Sequence, residues 1–153
     1  MMVPAGNHMV IAETSQTQTP FLIKAGGIGS PVNWLLSGVG RAYLAYCGDK
    51  EREEILGRLR KSDKLADRLA HEPKRLDKIL AETRQRGYGI RDPGFIGGFY
   101  GTAPQDDGLA AIALPLLDRN RVHGSINILW VNAVRRLSRV KLTRHVRCCD
   151  YRL

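Results

Sequence analysis

Cysteine is scarce and poorly placed for chemistry: of three, Cys47 stands alone and Cys148 and Cys149 are adjacent. That excludes a disulfide framework and leaves no metal-ligand spacing, so no metal and no cofactor are expected. Long apolar runs are lacking too; none approaches the ~20 residues that a bilayer span requires. The start, Met1 to Asn7, has neither the charged nor the apolar region of a signal peptide. A cytoplasmic protein with no membrane partner follows as the expectation. The four histidines, His8, His71, His123 and His145, are scattered, and no nucleophile elbow occurs. Catalysis is not expected.

Positive charge is present in excess, at a net +9, but most of it sits at one end. Residues 132–153 hold seven Lys and Arg against the single acid Asp150. The rest of the chain is only mildly basic and carries no electrostatic footprint of its own. Any nucleic-acid contact would rest on that tail. The 153 residues, 43% hydrophobic and 25% charged, suit one soluble domain with a real core.

The most structured stretch is Leu109 to Val131. A nearly unbroken apolar run, Leu109 to Leu117, is followed by the polar turn Asp118-Arg119-Asn120-Arg121 and a return strand, Val122 to Val131. Alternation sends Val122, Gly124, Ile126, Ile128 and Trp130 to one wall, and His123, Ser125, Asn127, Leu129 and Val131 to the other. The first wall is almost purely apolar and is expected to take a helical layer. The second mixes small, polar and apolar groups, as a ligand-facing surface does. Taken by itself, the stretch favours the plainer reading of an antiparallel hairpin with one solvated face.

Before it, Asn7 to Thr14 reads as a short strand after a Pro-Ala-Gly-Asn turn, and Phe21 to Ala25 as a second. Gly26 to Pro31 lacks the Lys and Ser/Thr of a phosphate loop and reads as a connector. Asn33 to Tyr46 is a helix candidate with Ser37 as N-cap. Gly38 and Gly40 there allow two readings: an anion at bare backbone N–H groups, or close packing of the turn on a sheet. Asp49 opens a second helix, Lys50 to Arg60. Ser62 to Glu72 reads as a charged connector with a solvated His71. Pro73 starts a third helix that Gly87 ends, with Leu76, Ile79, Leu80 and Thr83 inward. Tyr88 to Asp92 is a short strand. Phe95 to Gly108 is a long loop, a lid or simple disorder, in which Asp106-Asp107 marks a turn rather than a paired-carboxylate site.

Four segments together resemble the effector-binding domain of the IclR-type transcriptional regulators. Ser37-Gly38-Val39-Gly40-Arg41-Ala42-Tyr43-Leu44-Ala45 resembles their Ser-Ala-x-Gly-Lys-Ala-x-Leu-Ala helix, and Glu51 to Leu56 their next helix. Arg84 to Asp92 is similar to their Arg-x-x-Gly-Tyr-Ala-x-Asp junction, and Leu109 to Asp118 to their Ile-Ala-x-Pro strand and turn. Order and spacing fit from about Gly6 to Val131. Within the family the chain looks most like activators of aromatic-acid catabolism, such as the hydroxyphenylpropionate regulator.

The resemblance implies an α+β, GAF-like fold: a curved antiparallel sheet with helices on one face and a ligand pocket on the other. It implies a small-molecule effector, homo-oligomers in full-length relatives, and DNA contact only through an N-terminal winged helix-turn-helix that this chain lacks. Residues 1–131 would be the effector domain, apparently without its first strand, and 132–153 an atypical basic tail. Reading Arg147 to Asp150 one base later gives Ala-Ala-Ala-Thr, so a shifted frame is one account of that tail. Carried over by position, the effector-binding residues are Ser37, Gly38 and Val39 at the helix start, Ala111 on one strand, and Asn127 and Leu129 on the next. Ala111 and Leu129 are more apolar than the polar residues many members carry there, which suits an aromatic ring. Asn127 would be the main hydrogen-bonding side chain. Arg91 is open to two readings, a partner for a ligand carboxylate or a surface residue at a strand end. The alternative function is a basic nucleic-acid-binding protein using the tail.

Overall fold

The structure, a computed structural model, describes residues 1–15, 27–95, 108–119 and 121–131. The strand expected over Phe21 to Ala25, the Asp106-Asp107 pair and the basic tail lie outside these residues. The described chain forms six strands: β1 (Met2–Ala5), β2 (His8–Ile11), β3 (Pro31–Val32), β4 (Gly89–Ile90), β5 (Leu109–Asp118) and β6 (Arg121–Val131). They make one curled antiparallel sheet in the order β3-β2-β1-β6-β5-β4. Three α-helices, α1 (Gly38–Tyr46), α2 (Asp49–Leu59) and α3 (Pro73–Arg86), and a short 3-10 helix (Leu65–His71) complete an α+β fold.

Local chemistry accounts for most boundaries. β1 and β2 form a tight hairpin whose turn uses Gly6 at φ 59°, a left-handed value that glycine adopts without steric cost. The Pro4-Ala5 pair expected in that turn belongs instead to β1. Ser37 caps α1, and α3 begins on Pro73 and stops at Gly87, whose φ of 85° suits a left-handed cap. The connector expected over Ser62 to Glu72 carries the 3-10 helix, which buries Leu69, Ala70 and the carboxylate of Asp67. Asp67 Oδ1 accepts a 2.9 Å hydrogen bond from Asn33 Nδ2, which accounts for an acid inside the molecule.

The hairpin β5–β6 is in register from Leu109↔Val131 to Asp118↔Arg121, with one irregularity. Leu116 faces Gly124 and Leu117 faces Val122, so His123 is the extra residue of a bulge. The bulge brings Val122 onto the same wall as Ser125, against the alternation expected from sequence. A larger correction concerns which wall the helices cover. Ser125 is fully buried and its hydroxyl donates to Val39 O of α1 at 3.0 Å, whereas Ile126 and Ile128 are 43% and 54% exposed. Helix α1 therefore packs on the small and polar wall, not on the wall rich in isoleucine. The reason is distance. A Cβ on Gly38 would sit 3.5 Å from Ala113 Cβ, and one on Gly89 would sit 2.1 Å from Gly38 O. So close an approach leaves room only for small residues where Gly38 meets Gly89 and Ala113.

Candidate functional site

The segment Asn33 to Ser37 is a knot of hydrogen bonds ahead of α1. Asn33 Oδ1 accepts from the N–H groups of Leu35 and Leu36 at 2.8 and 2.7 Å. The Ser37 hydroxyl donates to Asn33 O at 2.5 Å and accepts from Gly40 N at 3.0 Å. Both capacities of Ser37 are thus used within the cap, and the side chain is buried. A Cβ on Gly40 would lie 2.1 Å from Trp34 O, so that position admits nothing larger than glycine. Trp34 itself is fully buried, edge-on to Tyr43, with its indole N–H 3.3 Å from Gly6 O. Of the two readings left open for these glycines, close packing describes what they do.

Arg41 is a residue that the sequence reading passed over. Although buried, its guanidinium bonds Leu35 O at 2.7 Å, Ile90 O at 3.2 Å and Asp92 Oδ2 at 2.5 Å. It joins the knot before α1 to β4 and the turn that follows. Asp92 answers on the same seam: its N–H donates to Leu36 O at 2.8 Å and its Oδ1 accepts from Gly94 N at 2.8 Å. Burial pushes the Asp92 carboxyl up, but the Gly94 N–H and the Arg41 guanidinium outweigh it and hold the group below the ordinary carboxylate range. Burial also lowers Arg41, against the pull of Asp92. The family-like Gly-Arg-Ala and Arg-Asp segments were each visible in sequence. Nothing in them showed that their charges meet.

The strand candidates stand together. Ala111 faces Leu129 across β5–β6, and Ala113 faces Asn127, which places all four on one wall. That wall also carries Ser125, the residue bonded to α1, so the candidates share the helix-bearing wall rather than owning a separate one. Gly38 lies over Ala113, next to Asn127. Exposure rises along the wall away from α1, from fully buried Ser125 through half-buried Asn127 to Leu129 at 36%. Ala111 remains buried. Val39 is buried in the core and meets the strands through its carbonyl. The result is a small-residue floor with one amide and one leucine at its open end. Arg91, at the exit of β4, donates to Leu109 O at 3.2 Å and Phe95 O at 2.7 Å, with its guanidinium 4.8 Å from the centre of the Phe95 ring.

Elsewhere, burial pushes the lone described thiol, Cys47, up to about 11, which leaves it protonated and inert at neutral pH. Among the described residues no group of three or more His, Cys, Asp or Glu could hold a metal ion. No helix among them is long and apolar enough to cross a membrane.

This architecture is shared with known proteins. The family model described as bacterial transcriptional regulator IclR, C-terminal, matches residues 1–149. The chain belongs to the IclR C-terminal domain family. Its fold is similar to that of the C-terminal domain of a Vibrio cholerae transcriptional regulator (TM-score 0.59, 18% identity, 84% of this chain and 67% of that one). It is also similar to an IclR family regulator from Brucella abortus (TM-score 0.61, 23% identity, 86% of this chain and 45% of that one). The C-terminal domain of the Escherichia coli regulator KdgR is a third (TM-score 0.58, 19% identity, 88% and 70%). The chain spans less than half the length of the Brucella protein. These relatives are transcriptional regulator domains, not enzymes.

Proposed function

We propose that this chain is a small-molecule sensor whose effector is an aromatic acid, held on the wall formed by Ala111, Asn127 and Leu129. The carrying observation is that wall: a floor of small, buried side chains beside the start of α1 that becomes accessible at one end, at the Asn127 amide and Leu129. An aromatic ring buries well on such a floor, and the half-buried Asn127 amide offers a ligand one hydrogen-bonding group. Ser37, Gly38 and Val39 serve the site by setting how closely α1 approaches the strands, with Ser37 acting through its cap. The effector's arrival is then felt at α1, the helix fastened to β6 through Ser125 and to β4 through Arg41. In a full-length regulator that signal passes to a DNA-binding domain and to a second copy of the chain, in the cytoplasm. The basic tail as a nucleic-acid-binding element is not favoured by the family match.

Thermal-shift screening of the chain against a panel of aromatic carboxylates tests the reading. At ligand concentrations of 100 Kd, stabilisation of about 2.7 kcal/mol is expected for a true effector. Asn127→Leu, which keeps the branched shape and removes the amide, weakens binding by about tenfold. Stabilisation by no member of the panel contradicts the reading.

A further inference from the structure

Strand β6 outruns its neighbour β1. The direction of its backbone groups follows from the register. Arg91 N bonds Ala111 O, so Ala111 turns its N–H and C=O toward β4. Ile112 turns its own toward Ile128, and Leu129, opposite Ala111, therefore turns away from β5. By the same alternation Ser125, Asn127 and Val131 also face away from β5. Ser125 meets Met2 of β1 on that side, whereas the Met1 carbonyl is turned back to the N–H groups of Ala12 and Glu13. Past Ser125, no strand pairs with this side of β6 among the described residues. Asn127, Leu129 and Val131 thus present a row of alternating backbone donors and acceptors.

Elsewhere the sheet guards its edges. The outermost strands, β3 and β4, are two residues each. Strand β5 runs on past β4, and the first residue of that stretch to face outward is Pro115, which has no N–H to offer. The open stretch of β6 has no such guard. From Gly124 to Val131 it holds no charged residue and no proline. Ile126, Ile128 and Leu129 along it are exposed. An uncharged, unblocked strand edge with apolar side chains recognises another extended backbone.

We propose that this edge pairs antiparallel with the same edge of a second copy of the chain. The arrangement is self-complementary, as a two-fold interface must be. With Leu129 on the axis, Asn127 of each copy opposes Val131 of the other, and each facing N–H meets a C=O. Ile128 of each copy then lies opposite Trp130 of the other on the outward wall, which withdraws apolar surface from water. No like charges meet within the paired stretch. The proposal is independent of the sensor reading, because it rests on backbone groups and not on the effector wall.

Amide hydrogen exchange of the unaltered chain, followed at low and high protein concentration beside sedimentation velocity, tests it. The expected result is a dimer whose population rises with concentration, with exchange at Asn127, Leu129 and Val131 slowing in step. Ile126 and Ile128, whose N–H groups serve the β5 ladder, exchange slowly at every concentration. Val131→Pro removes one edge donor from each copy and leaves the β5 ladder intact, so association weakens about tenfold or more. Circular dichroism at low concentration reports whether that variant is folded, and the exchange profile decides without it. A monomer at every concentration overturns the proposal. So does a dimer in which these three amides exchange as fast as in the monomer, or a folded Val131→Pro chain that associates undiminished.

Discussion

At the scale of single residues, the fold spends its polar groups on seams. Ser125 sits fully buried on a strand to fasten α1 through Val39 O, and Arg41 fastens the same helix to β4 and Asp92. Asp92→Asn leaves the buried Arg41 charge without its counter-ion, a loss of about 3 kcal/mol by chemical denaturation at neutral pH. The pH dependence has a definite sign. Asp92 is held below the ordinary carboxylate range in the folded state, so its contribution is present above that range. It is lost as pH falls through the folded-state value. A Tm profile between neutral pH and the acid limb should therefore fall more shallowly for Asp92→Asn than for the unaltered chain. An identical slope would show that the pair contributes nothing to acid unfolding. Ser37→Ala, by removing the cap, costs about 1 kcal/mol. It shifts effector affinity less than Asn127→Leu does, because the Ser37 hydroxyl is fully used by Asn33 O and Gly40 N.

At the scale of elements, the sequence was most legible where local chemistry decides and least where distance does. Ser37, Pro73 and Gly87 marked helix ends correctly because capping depends on a few neighbouring backbone groups. The β5–β6 hairpin was legible from its two long runs and its polar turn. Its orientation was not. The aliphatic run predicts a helix-facing wall at Ile126 and Ile128, yet both face outward. The close approach of Gly38 and Gly89 selects small residues for the contact, so bulk points away from it. The bulge at His123 was equally invisible, since an extra residue leaves no trace in composition. The candidate residues Ala111, Asn127 and Leu129, carried over by position from the resemblance, share one wall. Arg41 and Asp92 could not be joined, because 51 positions separate them and no periodicity connects them. One experiment separates the two walls. Ile126→Thr and Ile128→Thr are each expected to cost under about 1 kcal/mol, as surface substitutions do. Ser125→Leu, forced beneath α1, costs about 1–3 kcal/mol as overpacking. Reversed magnitudes would restore the original assignment of the walls.

At the scale of the whole molecule, the sheet joins a tightly packed region to a more open one. Towards α1 the wall is sealed by Gly38, Ala113 and Ser125; towards Leu129 it opens. A sensor needs both, a surface that admits a ligand and a packed element that responds to it. The family match over residues 1–149 establishes the kind of domain, and the wall is the site proposed for its effector. Amide chemical shifts recorded during titration with an aromatic carboxylate test that placement most directly. Shifts are predicted at Ala111, Asn127, Leu129 and the first turn of α1, with Ile126 and Ile128 changing little. Shifts confined to Ile126, Ile128 and the outward wall would contradict the account.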